Sequence, residues 1–245
     1  MKARHLLPWI TVATTIVSVV AAGVLATAPS GTAMAAASPP AVDPLPLHLR
    51  DTGLYRPGPG LELQPQVMAF TPQYTLWSDG ADKRRWIALP PGQRIDARQP
   101  DAWQFPAGTR LWKEFSHGGR RVETRYIERL ADGRWRFAAY VWNDDGSDAT
   151  LAPAAGVTGL PVAGAPGGRY DVPSQDDCLA CHGGAAVPVL GFSALQLSSD
   201  RDPNAPHTTP AAGDVDLPTM AARGLLAGLP PALLATPPRI PAASA

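Results

Sequence analysis

Residues 121–142 read RVETRYIERLADGRWRFAAYVW, and this stretch decides the fold. Side-chain character alternates with a period of two on each side of Ala131-Asp132-Gly133, which is a typical turn sequence. The stretch therefore predicts an antiparallel β-hairpin. The predicted faces are Val122, Thr124 and Tyr126 against Glu123, Arg125, Ile127 and Arg129 in the first strand, and Trp135, Phe137, Ala139 and Val141 against Arg136, Ala138, Tyr140 and Trp142 in the second.

The sequence around this hairpin is also typical of β-structure. Fourteen of the 17 aromatic residues lie between Tyr55 and Trp142, and aromatic side chains favour pleated, half-buried surfaces. Further strands are predicted at Met68–Leu76, Arg85–Leu89 and Arg110–Phe115, with Gly- and Pro-rich turns between them. Several short strands joined by turns predict a mainly β fold with a β-sandwich or jelly-roll-like domain.

Composition divides the chain into four parts. Residues 1–35 resemble a signal peptide, 36–66 form an extended lead-in with a turn near Leu49–Tyr55, 67–152 form the aromatic β domain, and 153–245 form a loop-rich segment with a Pro/Ala-rich tail. In this last part, Asp216 and Pro218 predict the start of a helix over Thr219–Ala227, which Pro230-Pro231 would end. A second short turn is predicted at Ala232–Leu234.

The N-terminal residues predict export. Lys2 and Arg4 precede an apolar run over residues 6–26, and Ala33-Met34-Ala35 fits a signal-peptidase cleavage site. The predicted location is the periplasm or another exported location. The alternative is an uncleaved N-terminal anchor, since the run is about 21 residues long, enough to span a bilayer. A membrane is an expected partner only in that second case.

Overall charge and composition exclude several classes of function. The 21 basic and 21 acidic residues balance, and removing residues 1–35 takes away only Lys2 and Arg4, so no basic surface for nucleic acid is expected. Two cysteines cannot form a disulfide-rich scaffold. The sequence contains no phosphate-binding loop or dinucleotide fingerprint.

Cys178-Leu179-Ala180-Cys181-His182 has the C-x-x-C-H pattern of covalent c-type haem attachment. Two intervening residues in a helical turn place both thiols on one porphyrin edge, and the adjacent histidine ligates the iron. A local disulfide would leave His182 without a role, a thioredoxin-like pair needs a βαβ unit, and a zinc site needs four ligands. The motif predicts one haem c, with Cys178 and Cys181 attached covalently and His182 as the proximal iron ligand.

The sixth iron ligand is predicted to be Met220 or His207. Met220 follows His182 by 38 residues, but it equally fits a core position on a helix. An iron with an open or water-filled site is the alternative. Weaker candidates for the sixth ligand are Met68, His117 and His48.

Two polar motifs have simpler interpretations. The acidic turn at residues 143–148 does not have the ligand spacing of an EF-hand, so we interpret it as a polar loop. The arginines of the hairpin could bind an anion, but pairing with Glu123 and Glu128 on a solvated strand face is the favoured interpretation. These arginines are Arg121, Arg125, Arg129 and Arg136.

Five stretches together resemble a family of exported bacterial proteins that contain a cytochrome c domain. They are Leu76–Trp86, Phe105–Phe115, Arg121–Arg125, Tyr140–Ala149 and Asp177–His182, and the resemblance covers about residues 67–230. It implies haem binding and electron transfer at Cys178, Cys181 and His182. Members often continue into a second C-x-x-C-H motif, whereas this sequence contains one.

The predicted function is therefore one-electron transfer to a redox partner protein. Two alternatives stay open. The first is a haem enzyme or small-ligand sensor with an open iron site. The second is a β-sandwich binding module in which haem is structural. Because Gly and Pro interrupt residues 152–173, the helix that usually precedes this motif is not expected, and the haem segment should lean on the aromatic β domain.

Overall fold

The computed structural model describes residues 43–205 and 209–240. The strands in chain order are β1 Met68–Ala69, β2 Asp82–Ala88, β3 Ile95–Asp96, β4 Arg110–His117, β5 Arg120–Arg129, β6 Trp135–Trp142, β7 Ala149–Leu151, β8 Val157–Pro161, β9 Arg169–Val172 and β10 Leu226–Ala227. The helices are α1 Gln175–His182, α2 Leu217–Ala222 and α3 Ala232–Ala235, with short 3₁₀ helices at Leu49–Thr52 and Pro166–Gly168. The predicted signal peptide lies outside the described residues.

A six-stranded antiparallel sheet with the order β1-β2-β4-β5-β6-β7 forms the centre of the fold. The prediction of a mainly β fold is confirmed, and so is the β5–β6 hairpin, whose turn spans residues 131–133. Two smaller sheets accompany it: β8 pairs with β9, and β10 pairs in parallel with β3. Among the described residues, no helix is both long and apolar enough to cross a membrane.

The two faces of the sheet differ in character, as the alternation within the hairpin predicts. The tryptophan face is made of large aromatic side chains: Trp86, Trp112, Tyr126, Tyr140 and Trp142. The opposite face, which we call the helix face, carries Ile87, Leu111, Ile127 and Trp135 at one end of the strands. Farther along the same strands the helix face becomes charged, and α1 lies against it at β6.

The lead-in covers the tryptophan face. Leu49, Leu54 and Tyr55 are buried in the same core as the tryptophans, and Trp112 Nε1 donates to Thr52 Oγ1 at 2.9 Å. The turn predicted near Leu49–Tyr55 is the first 3₁₀ helix. The layer on this face therefore consists of loops, whereas a β-sandwich would place a second large sheet there. The lead-in explains the difference, because its Pro- and Gly-rich sequence lacks the alternation of apolar and polar residues that is typical of strands.

The C-terminal segment covers the apolar end of the helix face. Phe192, Leu197, Leu217 and Met220 pack there with Trp103 of the β3–β4 connection. The predicted helix over Thr219–Ala227 is wrong in its extent.

The start of α2 agrees with the prediction, because Asp216 caps it by accepting from the Thr219 backbone N–H and Pro218 lies in its first turn, but the helix ends at Ala222. Gly224 then takes a positive φ of 66°. The chain after it joins the β10–β3 pair, so the helix ends before Pro230 is reached. The second predicted turn is confirmed as α3.

Strand β1 is much shorter than the predicted strand Met68–Leu76. It pairs only through Met68 and Ala69, after which Pro72 has no N–H to offer a neighbouring strand. Gln73 is fully buried and its backbone N–H donates to Gln196 of the C-terminal segment. The segment after Ala69 therefore leaves the sheet and contacts the covering layer.

Candidate functional site

Helix α1 carries both cysteines and begins at a reciprocal capping box. The Ser174 hydroxyl accepts from the Asp177 backbone N–H at 3.1 Å, and the Asp177 carboxylate accepts from the Ser174 backbone N–H at 2.9 Å. These bonds satisfy two backbone donors of the first turn, and they fix where the helix starts. Cys178 and Cys181 consequently lie one turn apart on a defined helix.

The two cysteines are free thiols in different environments. Cys178 is half-buried, whereas Cys181 is exposed. Burial raises the pKa of the Cys178 thiol above its usual value, and the Arg125 guanidinium of β5 acts in the opposite direction. Because a thiolate is the species that attacks disulfides, this shift does not favour a thioredoxin-like redox pair.

His182, the last residue of α1, is held by one hydrogen bond. Its Nδ1 lies 2.5 Å from the Pro188 carbonyl oxygen. A carbonyl oxygen can only accept, so Nδ1 carries the proton and Nε2 keeps a free lone pair. Burial lowers the pKa of His182, so the ring is neutral at pH 7. Neutral imidazole, oriented through its other nitrogen by a carbonyl, is the form that binds metals.

The chain after His182 makes this bond possible. The Gly183 backbone N–H donates to the Leu179 carbonyl at 2.7 Å, which closes the helix. A Cβ at position 183 would lie 2.8 Å from that same carbonyl oxygen, so glycine suits the turn. The following loop then returns Pro188 to the imidazole.

Phe137 of β6 forms the sheet wall beside the histidine. Its ring centroid lies 5.0 Å from that of His182. No residue of α1 is fully buried, and Leu179 on its surface is about half exposed. The motif helix therefore packs against the sheet on the side of His182 and Cys178. This contact agrees with the hypothesis that the segment with the C-x-x-C-H motif packs on the aromatic β domain.

Two cavities lie away from α1. One of about 580 Å³ borders β1, β2 and residues 211–215 and is lined in part by Arg85, and one of about 410 Å³ borders residues 89–94. Neither is lined by a residue of α1. The candidate site is therefore a surface formed by a helix and a sheet face, not an enclosed pocket.

Sequence reasoning missed a row of cations on the helix face beside α1. Arg85, Lys113 and Arg125 are register neighbours on β2, β4 and β5. Glu123, which is fully buried, accepts two bonds from Arg125 at 2.8 and 3.1 Å and one from Tyr170 Oη at 2.6 Å. Only strand register brings these residues together, and the sequence pattern of single strands does not reveal it.

Met220 and His207 were predicted as sixth ligands. Met220 is fully buried among apolar side chains beside Leu217, in agreement with its alternative interpretation as a core residue. His207 lies outside the described residues, so its role stays a prediction.

The weaker candidates for the sixth ligand have other neighbours. His48 Nδ1 is 3.1 Å from Asp148 Oδ2. Met68 shares a register row with Phe137 but lies four strands away, about 19 Å at the usual strand spacing. The His117 ring packs against Tyr170 of β9, with the ring centroids 5.7 Å apart.

The other polar motifs have structural roles. Asp148 of the acidic turn accepts from Arg50 at 2.9 Å, and no group of metal-binding side chains occurs within the part of the chain that the structure describes. Glu123 and Glu128 pair with arginines of the hairpin, as predicted, but both carboxylates are buried, so the prediction of a solvated strand face is wrong for them. Arg121 instead lies over the Trp142 ring at 4.1 Å.

Comparison with protein-family models, with curated proteins and with solved structures gives no match to this chain. The site must therefore be interpreted from its own donor set. Two free thiols one helical turn apart, followed by a neutral imidazole with a free Nε2, fit covalent haem.

Proposed function

We propose that this protein carries one c-type haem on α1 and serves as an electron carrier. The observation that supports the proposal most strongly is the bond between His182 Nδ1 and the Pro188 carbonyl. It leaves the Nε2 lone pair free to act as a ligand, at the residue immediately after the two thiols, which no role as a local disulfide requires. A bound haem supplies an iron that gains and loses one electron.

The thiols would attach this group without an external oxidant. Cys178 and Cys181 would each add S–H across one vinyl group, sulfur bonding to one vinyl carbon and hydrogen going to the other, so that no atom leaves. His182 would hold the iron through Nε2, and Phe137 packs against one side of that imidazole ring.

Export and a redox partner complete the proposal. The basic start, apolar run and Ala33-Met34-Ala35 site direct the chain out of the cytoplasm, where haem is attached to such motifs. The chain's resemblance to exported proteins with a cytochrome c domain agrees with this location. Electrons would pass to and from a partner protein that binds near α1.

Production of the full chain in the periplasm together with a cytochrome c maturation system tests the proposal. We expect haem to remain on the chain in a denaturing gel. A pyridine haemochromogen spectrum should show two thioether bonds in the wild type and one in Cys181→Ala. A wild-type chain that loses its haem on denaturation would overturn the proposal.

A second candidate function, a small-ligand sensor or haem enzyme, has one observation in its favour. Met68 lies four strands from Phe137, and Met220 is fully buried among apolar side chains, so neither thioether is exposed beside α1. Among the methionines of the described residues, this placement favours an iron with an open coordination position. A carbon monoxide difference spectrum of the reduced protein separates the two functions: a shifted Soret band indicates the open site, and an unchanged spectrum indicates the six-coordinate carrier.

A further inference from the structure

Two cations of the row on the helix face have no anionic partner. Arg85 is only 9% exposed, and its guanidinium makes no hydrogen bond or ion pair within residues 43–205 and 209–240. Lys113 is half-buried and makes only a cation–π contact, with Nζ 4.6 Å from the centroid of Phe115. Arg125 differs, since Glu123 neutralises it through two hydrogen bonds.

Such an arrangement is costly. Like charges directly opposite each other on neighbouring strands repel, and Arg85 and Lys113 are such a pair. A charge removed from water also loses hydration free energy unless a counter-charge replaces it. The sequence places apolar residues in the adjacent row, Ile87 and Leu111, so the strands can accommodate apolar side chains at this depth. The two charges therefore indicate a missing anion.

The row lies beside the motif helix. Lys113 and Arg125 both act electrostatically on His182, and Arg125 also acts on Cys178. The titratable groups around Lys113 are Arg85 and Lys83 on β2, Arg125 and Glu123 on β5, and His182 on α1. Of these groups, Glu123 alone is acidic, and it already forms an ion pair with Arg125.

We propose that Arg85 and Lys113 form a carboxylate site and that the carboxylates are the two propionates of the haem carried by α1. This inference rests on the proposed function and extends it to the opposite end of the cofactor. Haem brings two negative charges, which match the two unpaired cations in number. Guanidinium and ammonium groups bind carboxylates through charge-assisted hydrogen bonds, about twice as strong as neutral ones.

The test follows the protonation of Lys113, because a bound carboxylate stabilises its ammonium form. The predicted cleavage after Ala35 removes Lys2, so an exported chain labelled with carbon-13 lysine gives two Cε signals, from Lys83 and Lys113, and Lys113→Met assigns them. In the haem-free chain, made as the double variant Cys178→Ser/Cys181→Ser, burial holds the pKa of Lys113 at about 7. In the haem-loaded wild type we expect this pKa to rise by about 1–3 units.

Lys83→Met is the matched control. Lys83 lies two register positions away on the same face, opposite Phe115, but its Nζ already donates to the Leu76 carbonyl at 2.9 Å. The rise in the pKa of Lys113 on haem loading should persist in this variant. It should shrink in Arg85→Met, which removes half of the site. A haem-loaded protein whose Lys113 titrates as in the haem-free chain would overturn the inference.

A further arm separates this inference from the proposed function. If a haem stain shows that no haem is attached, the proposed function fails, and succinate is added to the haem-free chain. A rise in the pKa of Lys113 with succinate would keep Arg85 and Lys113 as a site for a free carboxylic acid. No change with either haem or succinate would refute the carboxylate site itself.

Discussion

The two faces of the central sheet share the same strands but differ in what stabilises them. The tryptophan face is aromatic at its centre and is covered by the protein's own lead-in, and its charged row pairs Glu128 with Arg136. The helix face is apolar where the C-terminal segment covers it, and beside the motif helix it carries the cations Arg85 and Lys113. Charges on the first face are therefore paired, whereas these two cations on the second are not.

The difference between the two faces separates the residues that stabilise the sheet from those proposed to bind a ligand. Packing of large aromatic side chains on one face stabilises the sheet, and the free energy gained there offsets unfavourable charges on the other. Functional sites commonly contain such locally unfavourable groups. The comparison therefore supports the proposal that the functional surface is the helix face beside His182.

The largest effect is expected on the tryptophan face. Trp112 is 1% exposed and donates to Thr52, so Trp112→Ala removes both its packing and this hydrogen bond. We expect the free energy of unfolding to fall by about 3–5 kcal/mol, measured by urea denaturation. A loss below about 1 kcal/mol would contradict the view that this face stabilises the sheet.

The next effect concerns the one buried carboxylate of the helix face. Glu123→Gln leaves Arg125 without its ion pair, and we expect a loss of about 2–3 kcal/mol in urea denaturation. This is below the loss for a fully buried pair because the Arg125 side chain is 34% exposed. Glu62→Gln, in an exposed pair with Arg56, is the control and should cost under about 1 kcal/mol. Equal losses in both variants would refute the special role of Glu123.

The unpaired cation should make the haem-free chain more stable at higher pH. Burial lowers the pKa of Lys113 from 10.5 to about 7, so between these values the unfolded chain binds more protons than the folded chain. The free energy of unfolding should therefore rise with pH, by up to about 1.4 kcal/mol per unit. Lys113→Met should remove most of this slope in urea titrations between pH 7 and pH 10. An unchanged slope would show that Lys113 is not the group responsible.

The smallest effect is expected at Trp77, which is 72% exposed in the loop before β2. Trp77→Ala should change the free energy of unfolding by less than about 0.5 kcal/mol, in contrast to Trp112→Ala. Thermal unfolding followed by circular dichroism measures both variants. A similar loss in both would mean that exposure does not separate structural from surface tryptophans here.

The sequence predicts the hairpin and reveals the C-x-x-C-H motif, since both depend on local signals. Period-two alternation identifies β5 and β6, and the spacing of Cys178, Cys181 and His182 identifies the site without any tertiary information. The lengths of individual strands and helices are less predictable from the sequence. The extent of β1 depends on Gln73 bonding to Gln196, a contact between residues far apart in sequence.

Two features of the site could not be predicted for the same reason. The bond from His182 to Pro188 depends on the path of an irregular loop. The pairing of Arg85 with Lys113 depends on the register between β2 and β4, which alternation within one strand does not fix. Both arise from tertiary structure, although the residue types were visible in the sequence.

Intact mass spectrometry tests the central claim most directly. The full chain is produced with a cytochrome c maturation system, denatured and weighed beside the Cys178→Ala/Cys181→Ala variant. The account predicts that the wild type gains the mass of a single haem and that the variant gains none. A wild-type chain without added mass, or one lighter by two hydrogens through a Cys178–Cys181 disulfide, would contradict it.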